Sequence, residues 1–121
     1  MNQPPLSANF WIAADELVSS HQIVIDRPKG SRHPTFPEVT YPLDYGFLEG
    51  TGAVDGGGVD VWVGSLEKRV VVGAFATVDL FKNDAEIKLL LGCTESEMTQ
   101  ALETSNSGSQ SAMLIRRPAG G

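Results

Sequence analysis

The chain has 121 residues, 41% of them hydrophobic and 20% charged, the proportions of a globular protein large enough for one core and too small for two. Fifteen acids against nine bases give a net charge of −6, which excludes a broad electrostatic surface for nucleic acid. No apolar run is long enough to span a bilayer, and a single cysteine, Cys93, excludes an intramolecular disulfide. These features predict one domain over residues 1–121, without a signal peptide or membrane partner, in a reducing cytoplasm.

Residues 1–6 read as a polar, proline-bearing tail. Ser7 or Asn9 can cap a helix running to about Ser19, whose apolar stripe is Phe10, Ala13, Ala14, Leu17 and Val18. Such a stripe packs on a sheet. Residues 21–27 alternate as a strand, with Ile23 and Ile25 against Gln22, Val24 and Asp26. The loop Pro28-Lys29-Gly30-Ser31-Arg32-His33-Pro34 follows, concentrating Lys29, Arg32 and His33 in an acidic chain. Lysine gives a point charge and arginine a forked donor, so the loop reads as an anion site or as a solvated turn. In Tyr41-Pro42-Leu43-Asp44-Tyr45-Gly46-Phe47, Pro42 biases Tyr41 toward an extended backbone and Gly46 marks a bend or a close approach. The two tyrosines are either phosphate donors or core aromatics with a wet hydroxyl.

A glycine-rich turn over residues 50–58 leads into Val59-Asp60-Val61-Trp62-Val63. The alternation puts Asp60 on the face opposite the valines, while Asp55 sits in the turn. Two acids separated by glycines can hold a hard cation; the plain alternative is an Asp-Gly turn entering a strand. Residues 70–80 form a long β-branched strand with a bend at Gly73, and residues 85–92 return as the second arm of a hairpin. Glu86, Lys88 and Leu90 share one face of that arm, and Ile87, Leu89 and Leu91 the other. A hairpin centred near Lys82-Asn83 brings Asp79 close to Glu86, with the register open by one residue. Thr94-Glu95-Ser96-Glu97 is a capping box opening a helix to about Thr104, and residues 112–117 are a last strand ending in Arg116-Arg117. His21 and His33 lack the spacing of a zinc site, Cys93 reads as a small buried residue, and Trp11 and Trp62 as packing residues. Five or six strands and two helices, with no βαβ alternation, predict a mainly β fold: a small OB-like barrel with helices at its ends.

Three segments in order carry a resemblance. They are Ile23-Val24-Ile25-Asp26-Arg27-Pro28-Lys29-Gly30-Ser31-Arg32, Tyr41-Pro42-Leu43-Asp44-Tyr45-Gly46-Phe47 and Asp55-Gly56-Gly57-Gly58-Val59-Asp60-Val61. Together they resemble the soluble family I inorganic pyrophosphatases, with Glu86-Ile87-Lys88 as counterpart of the family's Asp-x-Lys. The resemblance implies an OB-like barrel of the pyrophosphatase type that uses Mg²⁺, with Mn²⁺ as substitute, to hydrolyse diphosphate or a small phosphoanhydride. It implies that Asp55 and Asp60 bind metal, that Asp26 stands near metal and substrate, and that Lys29, Tyr45 and Lys88 contact phosphate. Glu86 with Asp79 or Asp84 would add metal ligands from the hairpin, and Arg32 and Arg116 would complete the phosphate set. Asp55, Asp60 and Tyr45 then form the catalytic group. A homo-oligomer is also expected. Cations are needed because diphosphate repels an incoming nucleophile until its charge is screened.

The departures are specific. The family carries a further carboxylate two residues after the first acid of its signature, where this chain has Gly57. In the family that acid orients or deprotonates the attacking water. The stretch between Arg32 and Tyr41 is too short for the family's arginine-bearing hairpin, and the family's C-terminal tyrosine-lysine pair has no match. Two alternatives follow: a phosphate- or nucleotide-binding module without catalysis, and an assembly module using its last strand and the apolar face of its first helix.

Overall fold

Alternation along short strands gives one sheet two apolar faces, and each face is covered by one helix. The computed structural model describes residues 6–53 and 56–119. The elements in order are α1 (Leu6–Ser19), β1 (Ile23–Arg27), β2 (Asp44–Leu48), β3 (Val59–Val63), β4 (Val71–Asp79), β5 (Asp84–Leu91), α2 (Glu95–Ser105) and β6 (Gln110–Arg116). The sheet has six strands in the order β1-β2-β3-β5-β4-β6. Every pairing is antiparallel except β3 with β5, which is parallel. The expected mainly β class with two flanking helices is present, as an open sheet: β1 and β6 are its edges, so it does not close into a barrel. No helix among the described residues is long and apolar enough to cross a membrane.

The first face carries Leu48, Val61, Val63, Ala74, Leu89 and Leu91, on which α1 lays Trp11, Ala14 and Val18. The α1 stripe is therefore turned toward Trp11, and Phe10 stays partly exposed. Asp15 anchors this helix, accepting from the Val71 amide at 3.2 Å and pairing with Arg117 at 2.7 Å. The second face carries Tyr45, Trp62, Phe75 and Leu90, on which α2 lays Met98 and Ala101. The capping box holds as expected: the Thr94 hydroxyl accepts from the Glu97 amide, and the Glu97 carboxylate accepts from the Thr94 amide at 2.8 Å. Glu97 also accepts from the Ser65 amide at 3.1 Å, which ties α2 to the exit of β3. Burial alone would raise the Glu97 pKa, but these amide donors outweigh it and hold the carboxyl below its usual range.

Two local devices were only partly legible. Residues 44–48, to which no element was assigned and where Gly46 marked a bend or a close approach, are the strand β2. Gly46 is there because β1 passes close by: a Cβ at that position would lie 1.8 Å from the Val24 carbonyl oxygen. The β4–β5 hairpin exists, but its register pairs Asp79 with Asp84 and Thr77 with Glu86, so Asp79 does not face Glu86. Asn83, at φ +56°, supplies the left-handed turn residue, a conformation asparagine tolerates.

Candidate active site

Asp60 and Trp62 are two residues apart on β3 and share the second face of the sheet. Tyr45 lies opposite Trp62 on β2, and the parallel register pairs Trp62 with Leu90 on β5. One step back along both parallel strands, Lys88 comes beside Asp60. The Tyr45 hydroxyl donates to Asp60 Oδ2 at 2.5 Å, and Lys88 Nζ donates to the Tyr45 hydroxyl at 2.9 Å. Lys88 Nζ also stands 3.5 Å from Asp60 Oδ2. Burial first, and the adjoining Asp60 charge second, push the Tyr45 pKa far up, so this phenol keeps its proton.

Arg27 completes the cationic wall. Asp26 is exposed, and the ladder between β1 and β2 shifts register between Ile25 and Arg27. This bulge re-aims the strand end, and the Arg27 guanidinium lies 5.4 Å from the Tyr41 ring centre and 5.9 Å from that of Tyr45. Arg27 Nη1 donates to the Tyr41 hydroxyl. Burial alone would lower the Arg27 pKa, but the bond to Tyr41 together with the charges of Tyr41, Tyr45 and Asp26 outweighs it and the net shift is upward. Beneath these charges the Tyr45 ring meets Trp62 edge-on at 4.7 Å and Tyr41 at 5.4 Å.

These groups line a cleft of about 490 Å³ that runs from Arg27, Tyr45, Asp60 and Lys88 to the β4–β5 turn and the loop between α2 and β6. His33 stands on its wall. Burial first, then the charges of Arg27 and Lys82, lower the imidazole pKa. Its Nδ1 accepts from the Thr35 and Phe36 amides at 3.0 and 3.1 Å, the arrangement of a neutral ring. Trp62 Nε1 and Ser105 Oγ, both from residues lining the cleft, are buried without a hydrogen-bond partner.

The cleft brings together Asp26, Tyr45, Asp60, Asp79, Glu86 and Lys88 from the predicted site. Asp55 lies outside the described residues. Asp79 reaches the cleft with one carboxylate oxygen occupied by the amides of Phe81 and Lys82 and the hydroxyl of Ser109. The Lys82 amide first, then Ser109, hold its pKa low. Three expected phosphate contacts do not line the cleft. Lys29 and Arg32 are exposed on the loop after β1, where the Lys29 amide donates to Asp44 and Arg32 bridges Thr40. Arg116 sits at the far end of β6, is 57% exposed and pairs with Glu95 at 3.1 Å. Asp84 opens β5 opposite Asp79 and does not line the cleft. The residues that sequence reading did not place in the site are Arg27 and Lys82, while His33, read within the basic loop, is the one member of that loop's charged trio that lines the cleft. Arg27 stood in the quoted motif, but only the bulge turns it inward.

Among the described residues, no three His, Cys, Asp or Glu side chains converge as a metal group. Asp60 and Glu86 present hard oxygen donors from neighbouring strands, and Asp60 is already engaged by Tyr45 and Lys88. Mg²⁺ is commonly held by one or two carboxylates together with phosphate oxygens. These donors fit an ion that shares its coordination with a bound phosphate.

No family model and no curated protein matches the chain. Solved structures do. An inorganic pyrophosphatase from Neisseria gonorrhoeae is similar at 18% identity and a TM-score of 0.62, over 78% of this chain and 80% of that one. The Coxiella burnetii inorganic pyrophosphatase gives 13% and 0.56, over 78% and 82% of the two chains. The Helicobacter pylori inorganic pyrophosphatase gives 16% and 0.55, over 78% and 81%. With so little sequence in common it is the path of the chain that is shared, and the fold is that of the inorganic pyrophosphatases.

Proposed function

We propose that the protein is a Mg²⁺-dependent phosphoanhydride hydrolase of the diphosphatase kind, acting in the cytoplasm. The observation that carries this reading is the Tyr45–Asp60–Lys88 cluster beside Arg27, set in a cleft of the pyrophosphatase fold. Mg²⁺ held by Asp60 and Glu86 would neutralise phosphate charge and lower the pKa of a coordinated water. Lys88 and Arg27 are fixed cations for the phosphate oxygens, positioned before substrate arrives. Lys88 can pass its hydrogen bond from the Tyr45 hydroxyl to a phosphate oxygen without moving far. Tyr45, kept protonated, acts as a donor that orients Asp60 and not as a base. The packed rings of Tyr41, Tyr45 and Trp62 exclude water from behind the charges.

The test is phosphate release from diphosphate with Mg²⁺ or Mn²⁺. Lys88→Met is expected to lower turnover by about 10²-fold or more, the usual loss for one preorganised donor. Asp60→Asn should abolish the metal dependence together with the activity. No release above a heat-killed control rejects the hydrolase reading. Gly57 favours one alternative, a phosphoanhydride binder without turnover, because no carboxylate stands there to orient water. Calorimetric binding of diphosphate with Mg²⁺, without phosphate release, selects that alternative.

A further inference from the structure

The cleft is longer and chemically more divided than diphosphate requires. Two of its three cations, Arg27 and Lys88, stand at one end and contact the two tyrosines. Its other end is formed where Asp79, Ser109 and Gln110 meet, since the Ser109 hydroxyl donates to Asp79 at 2.8 Å and Asp79 pairs with Gln110 between β4 and β6. Asp79 also pairs with Asp84, four residues before Lys88 on β5, so the two ends are about 13 Å apart along the strand. Two phosphorus atoms on one bridging oxygen do not span that distance. A volume of about 490 Å³ is that of a pocket for a ligand of organic size.

The far end differs chemically from the Arg27–Lys88 end. Asp79 is a carboxylate, held ionised by amide donors. The hydroxyls of Ser107 and Ser109, both lining the cleft, donate to the Thr104 carbonyl and to Asp79, which leaves them lone pairs as acceptors. Such a surface offers acceptors to N–H and O–H donors, with the Lys82 charge of the β4–β5 turn beside Asp79. Two phenylalanines border the same cleft from different loops: Phe36, 49% exposed, and Phe81, 86% exposed. Exposed phenyl rings beside acceptors suit a planar, hydrogen-bond-donating group. His33 lies between the ends, its ring 5.2 Å from Phe36 and 6.2 Å from Tyr41 in a near-parallel stack.

We propose that the cleft takes a phosphoanhydride carrying a planar organic group, a nucleoside diphosphate being the simplest of the class, in preference to bare diphosphate. The phosphates lie at Lys88 and Arg27, and the planar group lies by Phe36 and Phe81 with its donors toward Asp79 and the serine hydroxyls. In the hydrolytic step water adds to the terminal phosphorus and the bridging P–O bond breaks. The nucleoside monophosphate leaves with the bridging oxygen, phosphate forms, and a proton passes to solvent. This inference rests on the reading that phosphate binds at Lys88 and Arg27.

The experiment is calorimetric titration, with Mg²⁺ present, of the wild type and of Phe36→Ala, Phe81→Ala and Lys88→Met. The probes are the α,β-methylene analogue of ADP and methylene diphosphate, neither of which turns over. The wild type is expected to bind the nucleoside analogue at least tenfold more tightly. Each phenylalanine variant should weaken the nucleoside analogue fivefold or more and leave methylene diphosphate within twofold, while Lys88→Met weakens both. Equal affinity for the two probes, or phenylalanine variants that bind the nucleoside analogue like the wild type, overturns the inference and leaves the hydrolase reading intact. Failure of the wild type to bind either probe overturns both.

Discussion

Tyr45→Phe removes a single oxygen from the centre of the cleft and isolates what that oxygen does. The ring stays, with its edge-on contact to Trp62 at 4.7 Å. The lost hydroxyl donates to Asp60 at 2.5 Å and accepts from Lys88 at 2.9 Å. Both partners are charged, and a net charge-assisted hydrogen bond contributes about 1.5–3 kcal/mol. Lys88 already stands 3.5 Å from Asp60 and can close on it, recovering one of the two bonds. The expected loss is therefore that of one bond, about 1.5–3 kcal/mol. With a urea dependence of about 1–3 kcal/mol per molar for a small domain, the unfolding midpoint should fall by roughly 1 M at unchanged slope. Trp11 and Trp62 are both buried, so intrinsic fluorescence follows the transition directly. An unchanged or raised midpoint would refute the reasoning. It would mean that Asp60 and Lys88 satisfy each other without the phenol and that Tyr45 is a packing residue only.

Four further outcomes are expected. Gly46→Ala puts a methyl 1.8 Å from the Val24 carbonyl oxygen, and because backbone cannot yield that far without unpairing β1, the loss should exceed about 4 kcal/mol; a wild-type melting temperature would contradict this. Burial first, and Glu97 second, push the Cys93 thiol up to about 12 from 9.0, so its contribution to stability is whole below pH 9 and is lost as pH rises toward 12; Cys93→Ala should flatten that alkaline decline in the urea midpoint. Glu97 titrates below its ordinary 4.5, so its contribution is present above that pH and lost as pH falls through the folded value; Glu97→Gln should flatten the acid limb of the same profile, and Thr94→Ala should cost about 0.5–2 kcal/mol at neutral pH.

Much of the cleft was legible because strand alternation is local. Val59 to Val63 and Glu86 to Leu90 each declared their faces, and the capping box at Thr94 declared the helix that covers one of them. That Asp60 and Lys88 become neighbours was not legible. It depends on the parallel pairing of β3 with β5, reached by a crossover through β4, and periodicity says nothing about which strands pair. The open sheet escaped for the same reason, since closure is a property of edges that never meet. Arg27 escaped because a one-residue bulge reverses the side on which a strand end points. Lys29 and Arg32 drew notice as clustered positive charge and Arg116 as a stand-in for an unmatched pair, yet charge on a loop or an edge is satisfied by solvent or by a neighbour such as Glu95.

The charges that line the cleft constrain how an anion can enter it. Among the described residues, four carboxylates line it, Asp26, Asp60, Asp79 and Glu86, against three cations, Arg27, Lys82 and Lys88, with His33 neutral; four against three leaves one negative charge. A polyanionic phosphate ester meets that surplus at short range, where each unpaired like charge costs about 4 kcal/mol at an effective dielectric of 20. On the proposed reading, the cleft would favour phosphate that brings its own divalent cation over free phosphate. Gly57 bears on the same balance. A carboxylate there would raise the surplus to two and demand a further cation, whereas glycine lets one accompanying ion reverse the sign. If the proposed hydrolase reading holds, an acid at position 57 could orient water but would oppose the entry of a single metal–phosphate complex, so binding and turnover are expected to respond in opposite directions to Gly57→Asp.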